Sequence, residues 1–201
     1  MASLSAGAYR LQALPYDRGS MGMMGGGATS TVTLLTANVT GSRAVDVLPS
    51  SVDPAAARLA IDTATLRRAT FTLEMMMSKA SINGVTFDAA ADGTITAATH
   101  DSRAGTYEVW DIVNATGMDH PWHHHVNSAQ LLATTGSDAS FAKYAALYGS
   151  APAYKDTIVV PKQGSVSLLV PILDYTGRTV FHCHIVEHED IGMIGVWNIA
   201  S

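Results

Sequence analysis

The densest group of chemically reactive side chains in this sequence lies in residues 182–193, which read HCHIVEHEDIGM. The segment contains the single cysteine of the 201 residues, Cys183, with a histidine on either side, His188 five residues later and Met193 ten residues later. A thiolate, an imidazole and a weakly held thioether are ligands of a blue, or type-1, copper centre, since soft sulfur suits Cu(I) and imidazole suits either oxidation state. Cys183, His188 and Met193 therefore indicate a copper site.

A second histidine-rich segment, HPWHHH, occupies residues 120–125. A type-1 site of this kind needs a second imidazole, and we expect it from His120, which Pro121 separates from the strand that follows. Side chains on a strand alternate between its two faces, so His123 and His125 share one face. His124, between them, is expected to be exposed or to hydrogen-bond near a ligand.

The residues around Cys183 are β-branched and aromatic, which favours a strand. Because successive side chains of a strand point to opposite faces, Cys183 points one way while His182 and His184 point the other. One strand is therefore expected to serve two metal sites, one on each face.

Together, the patterns H-P-x-H-x-H and H-C-H-x-x-x-H-x-x-x-x-M resemble the C-terminal copper signature of the multicopper oxidases, the family of laccases, bilirubin oxidases and cuprous oxidases. Further stretches resemble the bacterial three-domain, spore-coat and copper-efflux branch of that family, at residues 16–24, 82–84, 107–111, 155–157 and 188–190. The resemblance thus covers nearly the whole chain.

The resemblance implies a role for each matching residue. The type-1 copper ligands would be His120, Cys183, His188 and Met193. The type-2 ligand would be His123, and the type-3 ligands His125, His182 and His184. Glu189 occupies the position of a proton-relaying carboxylate, with orientation of a ligand imidazole or exposure to solvent as its alternative role.

The resemblance also implies that part of the copper cluster is missing from this chain. In the family, half of the histidines of the trinuclear cluster come from an N-terminal domain, as two H-x-H pairs. Apart from the assigned ligands, the remaining histidines of this chain are His124 and His100, and His100 lies in a predicted turn. We therefore expect a complete type-1 site and half of a trinuclear site, the remainder coming from an N-terminal cupredoxin domain or partner chain.

Such an enzyme would be a laccase-like oxidoreductase that takes single electrons from a small reductant, phenols or Cu(I), and reduces O2 to water. Two alternatives remain open. The chain could be an isolated blue-copper electron-transfer domain, or a homo-oligomer that shares copper between copies through its exposed histidine face, as copper nitrite reductases do.

The expected scaffold is all-β, a cupredoxin-like Greek-key β-sandwich with an N-terminal extension. Residues 1–50 would be the tail of a preceding domain and a linker, and residues 51–201 the C-terminal cupredoxin domain. One helix is predicted at residues 139–148. Strands are predicted at residues 8–14, 31–39, 68–77, 94–98, 106–113, 157–160, 165–172 and 193–199. In the strand at 68–77, Leu73, Met75 and Met77 would share one core-facing side, and Asn83-Gly84 would form the hairpin turn to residues 85–87.

Composition limits the remaining possibilities. A hydrophobic content of 47% with 14% charged residues suits a well-filled core, and a net charge of −5 argues against binding nucleic acid through its phosphates. The sequence contains no apolar segment long enough to span a membrane. With one cysteine no intramolecular disulfide can form, so the compartment cannot be read from disulfides; the family resemblance suggests a periplasmic or extracellular protein.

Overall fold

The computed structural model of the chain describes residues 4–15, 30–41, 47, 49–50, 53, 55–136, 139–149 and 153–201. It divides into two compact units, Met1–Ala56 and Ala57–Ser201. The first unit contains an antiparallel pair of strands, β1 (Gly7–Ala13) and β2 (Val32–Val39). Residues 16–24, which carry part of the family resemblance, lie outside the described residues. The assignment of residues 1–50 to a preceding domain and linker stays a prediction.

The second unit is built almost entirely of strands. A 3₁₀ turn at Thr63–Thr65 precedes the first of them. In chain order the elements are β3 (Arg67–Met76), β4 (Lys79–Ile82), β5 (Asp88–Ala89), β6 (Ile95–Thr96), β7 (Ala98–Arg103), β8 (Thr106–Asn114), β9 (His120–His124), β10 (Gln130–Thr135), α1 (Ala139–Gly149), β11 (Thr157–Val160), β12 (Ser165–Ile172), β13 (Gly177–Cys183), α2 (Val186–Asp190) and β14 (Ile194–Ala200).

Two five-stranded sheets form the sandwich, in the orders β10-β12-β8-β3-β4 and β11-β9-β13-β14-β7. Both are mixed, because β3 runs parallel to β8 and β14 parallel to β7 while the other neighbours are antiparallel. The predicted all-β, cupredoxin-like sandwich is confirmed. Among the described residues, no helix is long and apolar enough to cross a membrane.

Large aromatic side chains fill the space between the sheets. Trp110, Trp122, Phe181 and Trp197 are fully buried, and the ring of Phe181 stacks on that of Trp122 with centroids 5.0 Å apart. Burial of such side chains is the main favourable contribution to folding. The strands that carry the predicted copper ligands therefore border a well-packed aromatic core.

The predicted turn at His100 is wrong. His100 lies in β7, where burial alternates along the strand, and its side chain points into the core. There its Nε2 lies 2.6 Å from Oε2 of Glu108, a carboxylate that also accepts a hydrogen bond from the Trp110 indole. A buried imidazole with a carboxylate partner is compatible with a strand interior, whereas the polar sequence around it had suggested a loop.

The methionine-rich strand also ends differently from the prediction. The chain turns at Met77 and Ser78, so that β3 pairs with β4 and not with residues 85–87. Met77 has a positive φ of 34° and is 90% exposed, outside the core that Leu73 helps to fill. Asn83-Gly84 does form a tight turn with positive φ at both residues, but it follows β4. The predicted strand at 94–98 is likewise divided between β6 and the start of β7.

The cross-strand contact of Phe181 with Gly195 gives a testable consequence. The two residues are partners in the β13–β14 pairing, and a Cβ at position 195 would lie 2.1 Å from a ring carbon of Phe181. Gly195→Ala must displace this buried ring, so we expect a loss of about 1–3 kcal/mol in the free energy of unfolding. Chemical denaturation of the full chain measures it.

Gly149→Ala is the matched control for that substitution. Gly149 is exposed at the end of α1, and a Cβ there would meet nothing within 4 Å. Its stability should change by less than about 0.5 kcal/mol. Equal stabilities of the two variants would contradict the contact between Phe181 and Gly195.

Candidate copper site

The two histidine-rich segments lie side by side in one sheet. Strand β13 pairs with β9 so that His182 lies opposite His123 and Cys183 lies opposite Trp122. Directly opposed residues of an antiparallel pair share a face. The backbone thus places His123 and His182 on one face of the sheet, and Cys183 on the other, where Trp122 enters the core.

On the inner face, three side chains converge. The Sγ atom of Cys183 lies 3.4 Å from Nδ1 of His120 and 3.4 Å from Nδ1 of His188, and these two nitrogens are 3.1 Å apart. All three side chains are buried. His120 stands at the start of β9, Cys183 at the end of β13, and His188 in the short helix α2 that follows.

Met193 is tied to the same group through its backbone. Its N–H donates to the carbonyl of His188 at 2.9 Å, and its carbonyl accepts from the N–H of Cys183 at 3.1 Å. The side chain is fully buried. At the preceding residue, Gly192, φ is +110° and a Cβ would lie 2.3 Å from Thr86, so this position requires glycine.

The donor set on this face fits copper. Burial, and then the neighbouring His188, lower the pKa of His120 to about 3, so its imidazole is neutral and can offer a lone pair. Two imidazole nitrogens and a sulfur that face one another, shielded from water, form the His₂Cys set of a blue-copper site. His120, Cys183 and His188 thus fit three members of the predicted type-1 set, and Met193 as a fourth, weak ligand stays a prediction.

On the outer face, four histidines form a second group. The ligand nitrogens of His123, His125 and His182 all lie within 4.8 Å of one another, and Nε2 of His125 is 3.2 Å from Nε2 of His182. The ring of His184, just beyond the end of β13, lies 5.2 Å from the ring of His123 and 5.5 Å from that of His182. These distances bring the four predicted type-2 and type-3 ligands together.

Hydrogen-bond acceptors orient two of these rings. The carbonyl of Asp156 and the hydroxyl of Thr157 each lie 3.0 Å from Nδ1 of His123. Nδ1 of His182 lies 3.1 Å from the carbonyl of Cys183 and 3.3 Å from Oε2 of Glu189. When Nδ1 carries the proton toward such acceptors, Nε2 is left as the metal-binding atom.

Burial and neighbouring imidazoles lower the pKa of two histidines in this second group. Burial lowers the pKa of His123, and the neighbouring His182 and His184 add to the effect, which outweighs the hydrogen bond to Asp156. Burial and then His123 and His182 lower the pKa of His125. Neutral imidazoles are the form that binds a metal ion. The outer group is more accessible than the inner one, since His123 and His125 are partly exposed and His184 is exposed.

His124 does not behave as expected. It is fully buried on the inner face, and among the described residues neither ring nitrogen has a hydrogen-bond partner. Its ring lies 5.7 Å from that of Trp110, in the aromatic core. The expectation of exposure or of a hydrogen bond near a ligand is therefore wrong, because the alternation that turns His123 and His125 outward turns His124 inward.

Residues that orient the ligands were not found from the sequence. Thr157 reaches His123 because β11 pairs with β9, and Thr116 reaches His120 from the preceding loop. Thr157 belongs to the stretch 155–157 that resembles the family, but that stretch assigns it no role, and no motif includes Thr116. The only available signal for Thr116 was its position four residues before His120.

Comparison with known proteins agrees with this fold and identifies the family. A sequence model of the family described as multicopper oxidase matches residues 60–201. The chain is 34% identical over 113 residues to a laccase of Bacillus subtilis (strain 168), covering 51% of this chain and 22% of that protein. It is 31% identical over 128 residues to the multicopper oxidase mco of Staphylococcus aureus, covering 61% of this chain and 25% of that protein.

Among solved structures, a laccase-like multicopper oxidase of Ochrobactrum sp. shares the fold with a TM-score of 0.65 at 22% identity, covering 97% of this chain and 42% of that one. The fold and donor set define a copper-binding cupredoxin domain. The chain belongs to the multicopper oxidase family, as a C-terminal cupredoxin domain of the bacterial type. It spans about a quarter of the length of the curated relatives named here.

The unpartnered imidazole of His124 leads to a stability prediction. Burial of a polar group without a hydrogen bond costs about 1–3 kcal/mol, and a leucine of similar size removes that cost. We therefore expect His124→Leu to raise the melting temperature of the full chain at pH 7. The matched control is His100→Leu, which should lower it, because buried Glu108 loses its imidazole partner.

His124→Leu should also change how the stability of the folded chain responds to acid. Burial, and then His123, lower the pKa of His124 from 6.5 to about 3. Between those two values the unfolded chain binds a proton at this residue that the folded chain does not, so the native protein loses stability as the pH falls. His124→Leu should lose less over that range. If His124→Leu instead lowers the melting temperature as His100→Leu does, and the acid response of its stability is unchanged, then His124 has a stabilising partner.

Proposed function

We propose that this chain is the C-terminal part of a laccase-like multicopper oxidase that oxidises a small reductant, a phenol or Cu(I), and reduces dioxygen to water. Copper bound at the two groups would supply one-electron redox chemistry at both. Dioxygen would be reduced at the outer group. The observation that carries the proposal is the placement of two ligand groups on opposite faces of one sheet, with Cys183 in one and its neighbours His182 and His184 in the other.

Cys183 would connect the two groups. Its Sγ lies in the inner group, and peptide bonds join the residue directly to His182 and His184 in the outer group. Nδ1 of His182 also lies 3.1 Å from the carbonyl of Cys183. The path for an electron between the groups therefore runs through covalent bonds and one short contact. The buried surroundings of His120, Cys183 and His188 exclude water from the start of this path.

Glu189 is proposed to relay protons to the outer group. Reduction of dioxygen consumes protons, and the carboxylate of Glu189 lies beside Nδ1 of His182 with 35% of its side chain exposed. It can therefore hold a proton at the edge of the group and exchange it with solvent. The same contact would orient the imidazole of His182, which is the alternative role for this residue.

The outer group supplies half of the histidines that the trinuclear cluster requires. We propose that an N-terminal cupredoxin domain or partner chain supplies the others. The short length of the chain relative to its relatives supports this.

An isolated electron carrier has no use for four clustered histidines. Metal sharing between copies of this chain is favoured by the partial exposure of the group, since a symmetric contact could bring two such faces together. A periplasmic or extracellular location remains an expectation from the family.

Substitutions on the two faces should have separate effects. Cys183→Ser removes the thiolate of the inner group and should abolish the absorption band of thiolate-to-copper charge transfer. His182→Ala combined with His184→Ala should retain that band, because these rings lie with the outer group, but should abolish oxygen uptake in the reassembled enzyme. Absorption spectroscopy and an oxygen electrode measure the two properties. Loss of the band in the double variant would contradict the assignment of the faces.

Copper content separates the proposed function from its alternatives. The purified full chain should bind one copper per chain with the charge-transfer band and should consume no oxygen with a phenol or Cu(I). Addition of an N-terminal cupredoxin chain that carries the missing histidines should raise the copper content and start oxygen uptake. Turnover by the chain alone would favour copper sharing between copies. Absence of the band after copper loading would refute the type-1 assignment itself.

A further inference from the structure

The imidazole of His120 has a second contact, on the side away from Cys183. Its Nε2 lies 2.7 Å from Oγ1 of Thr116, a residue that is itself 3% exposed. Nδ1 of the same ring faces Cys183 and His188. The ring is therefore held between the proposed copper site and one buried hydroxyl.

The orientation of Asn114 decides how that hydroxyl is used. The Nδ2 amide group of Asn114 lies 2.9 Å from the carbonyl of Met118 and 3.1 Å from that of Val160, so both of its protons have acceptors. Its Oδ1 accepts from the backbone N–H of Thr116 at 2.9 Å. Rotating the amide by half a turn would place oxygen against two carbonyls, so this orientation is fixed.

The Thr116 hydroxyl has one proton and two acceptors within reach, Oδ1 of Asn114 at 2.8 Å and the carbonyl of Met118 at 3.1 Å. Neither acceptor can donate, so a hydroxyl proton directed at His120 would leave the Thr116 oxygen facing two other oxygens with no proton between them. The proton therefore goes to one of these two acceptors. Its oxygen is then an acceptor toward His120, and the proton in that contact belongs to Nε2 of the imidazole. The lone pair of the neutral ring is consequently on Nδ1, the atom that faces Cys183.

We infer that Thr116, oriented by Asn114, is a positioning residue of the type-1 copper site, which fixes the tautomer and the angle of the His120 ring. The inference rests on the proposed copper-binding function. An acceptor on the remote nitrogen of a ligand histidine also makes the imidazole a better electron donor. Thr116 thereby favours Cu(II) over Cu(I) at this site.

The test compares Thr116→Val with Thr116→Ser in the full chain. Valine keeps the shape but removes the acceptor, whereas serine keeps the hydroxyl. We expect Thr116→Val to bind copper about 10- to 100-fold more weakly, the usual effect of losing such a partner. Its charge-transfer band should shift and its reduction potential should rise. Thr116→Ser should restore all three properties toward those of the original chain.

Thr135→Val serves as the matched control, since the hydroxyl of Thr135 pairs with Ser165 on an exposed edge of the other sheet. It should leave copper affinity, band and potential unchanged. If Thr116→Val equals this control in all three, the inference is overturned. If the original chain shows no charge-transfer band at all, the proposed function fails instead, so the two failures can be distinguished.

A measurement on the unsubstituted chain keeps the inference testable even where Thr116→Val does not fold. Two-bond nitrogen–proton NMR correlations report which nitrogen of each histidine carries the proton. In the metal-free chain we expect the proton of His120 on Nε2. A proton on Nδ1 would show that Thr116 donates and does not accept, and would overturn the inference.

Discussion

Successive side chains of a strand point to opposite faces of the sheet, and both ligand groups depend on this constraint. At the end of β13, the alternation turns the sulfur of Cys183 into the sandwich and the imidazole of His182 out of it. A slip of one residue between β13 and β9 would exchange the two faces. The packing of Phe181 on Trp122 and over Gly195 opposes such a slip, because both contacts need Phe181 on the inner face.

The inner group consists of polar side chains buried in the core. Hydrogen bonds from surrounding residues offset the free-energy cost of burying polar groups there. Dehydrated imidazoles, amides and carboxylates lose free energy unless they have partners. Asn114 and Thr116 satisfy one another beside His120, and His100 satisfies Glu108 elsewhere in the core. Burial raises the pKa of Glu108, but hydrogen bonds from His100 and Trp110 outweigh it and leave that pKa below its ordinary value. Among the buried histidines that the structure describes, His124 alone lacks such a partner, and alternation between two outward-facing histidines accounts for its position.

The sequence predicted those parts of the site that depend on local spacing. Cys183, His188 and Met193 lie within one short segment, where a strand end, one helical turn and a glycine loop bring them together. The helix α1 and several strands were predicted within one or two residues, including β8, β11, β12 and β14. These features follow from periodicity and from residue types that tolerate few other conformations.

Features that depend on the path of the chain could not be predicted in this way. The turn at Met77 and Ser78 replaced the expected hairpin, because the stronger turn signal at Asn83-Gly84 serves the next turn along the chain. His100 has a polar neighbourhood in the sequence and a carboxylate partner only in the folded structure. Thr116 and Thr157 acquire their roles from a loop and from a neighbouring strand.

The unequal exposure of the two groups has a consequence for assembly. The proposed type-1 ligands all come from one chain and are buried in its core, so on the proposed function this chain binds that copper without ligands from a partner. The outer histidines are partly exposed, and on the proposed function they complete a cluster only with ligands from elsewhere. Copper bound there is linked by mass action to the concentration of the partner, and the partner in turn binds more tightly when copper is present. The inner group can therefore fill first, and filling of the outer group accompanies assembly.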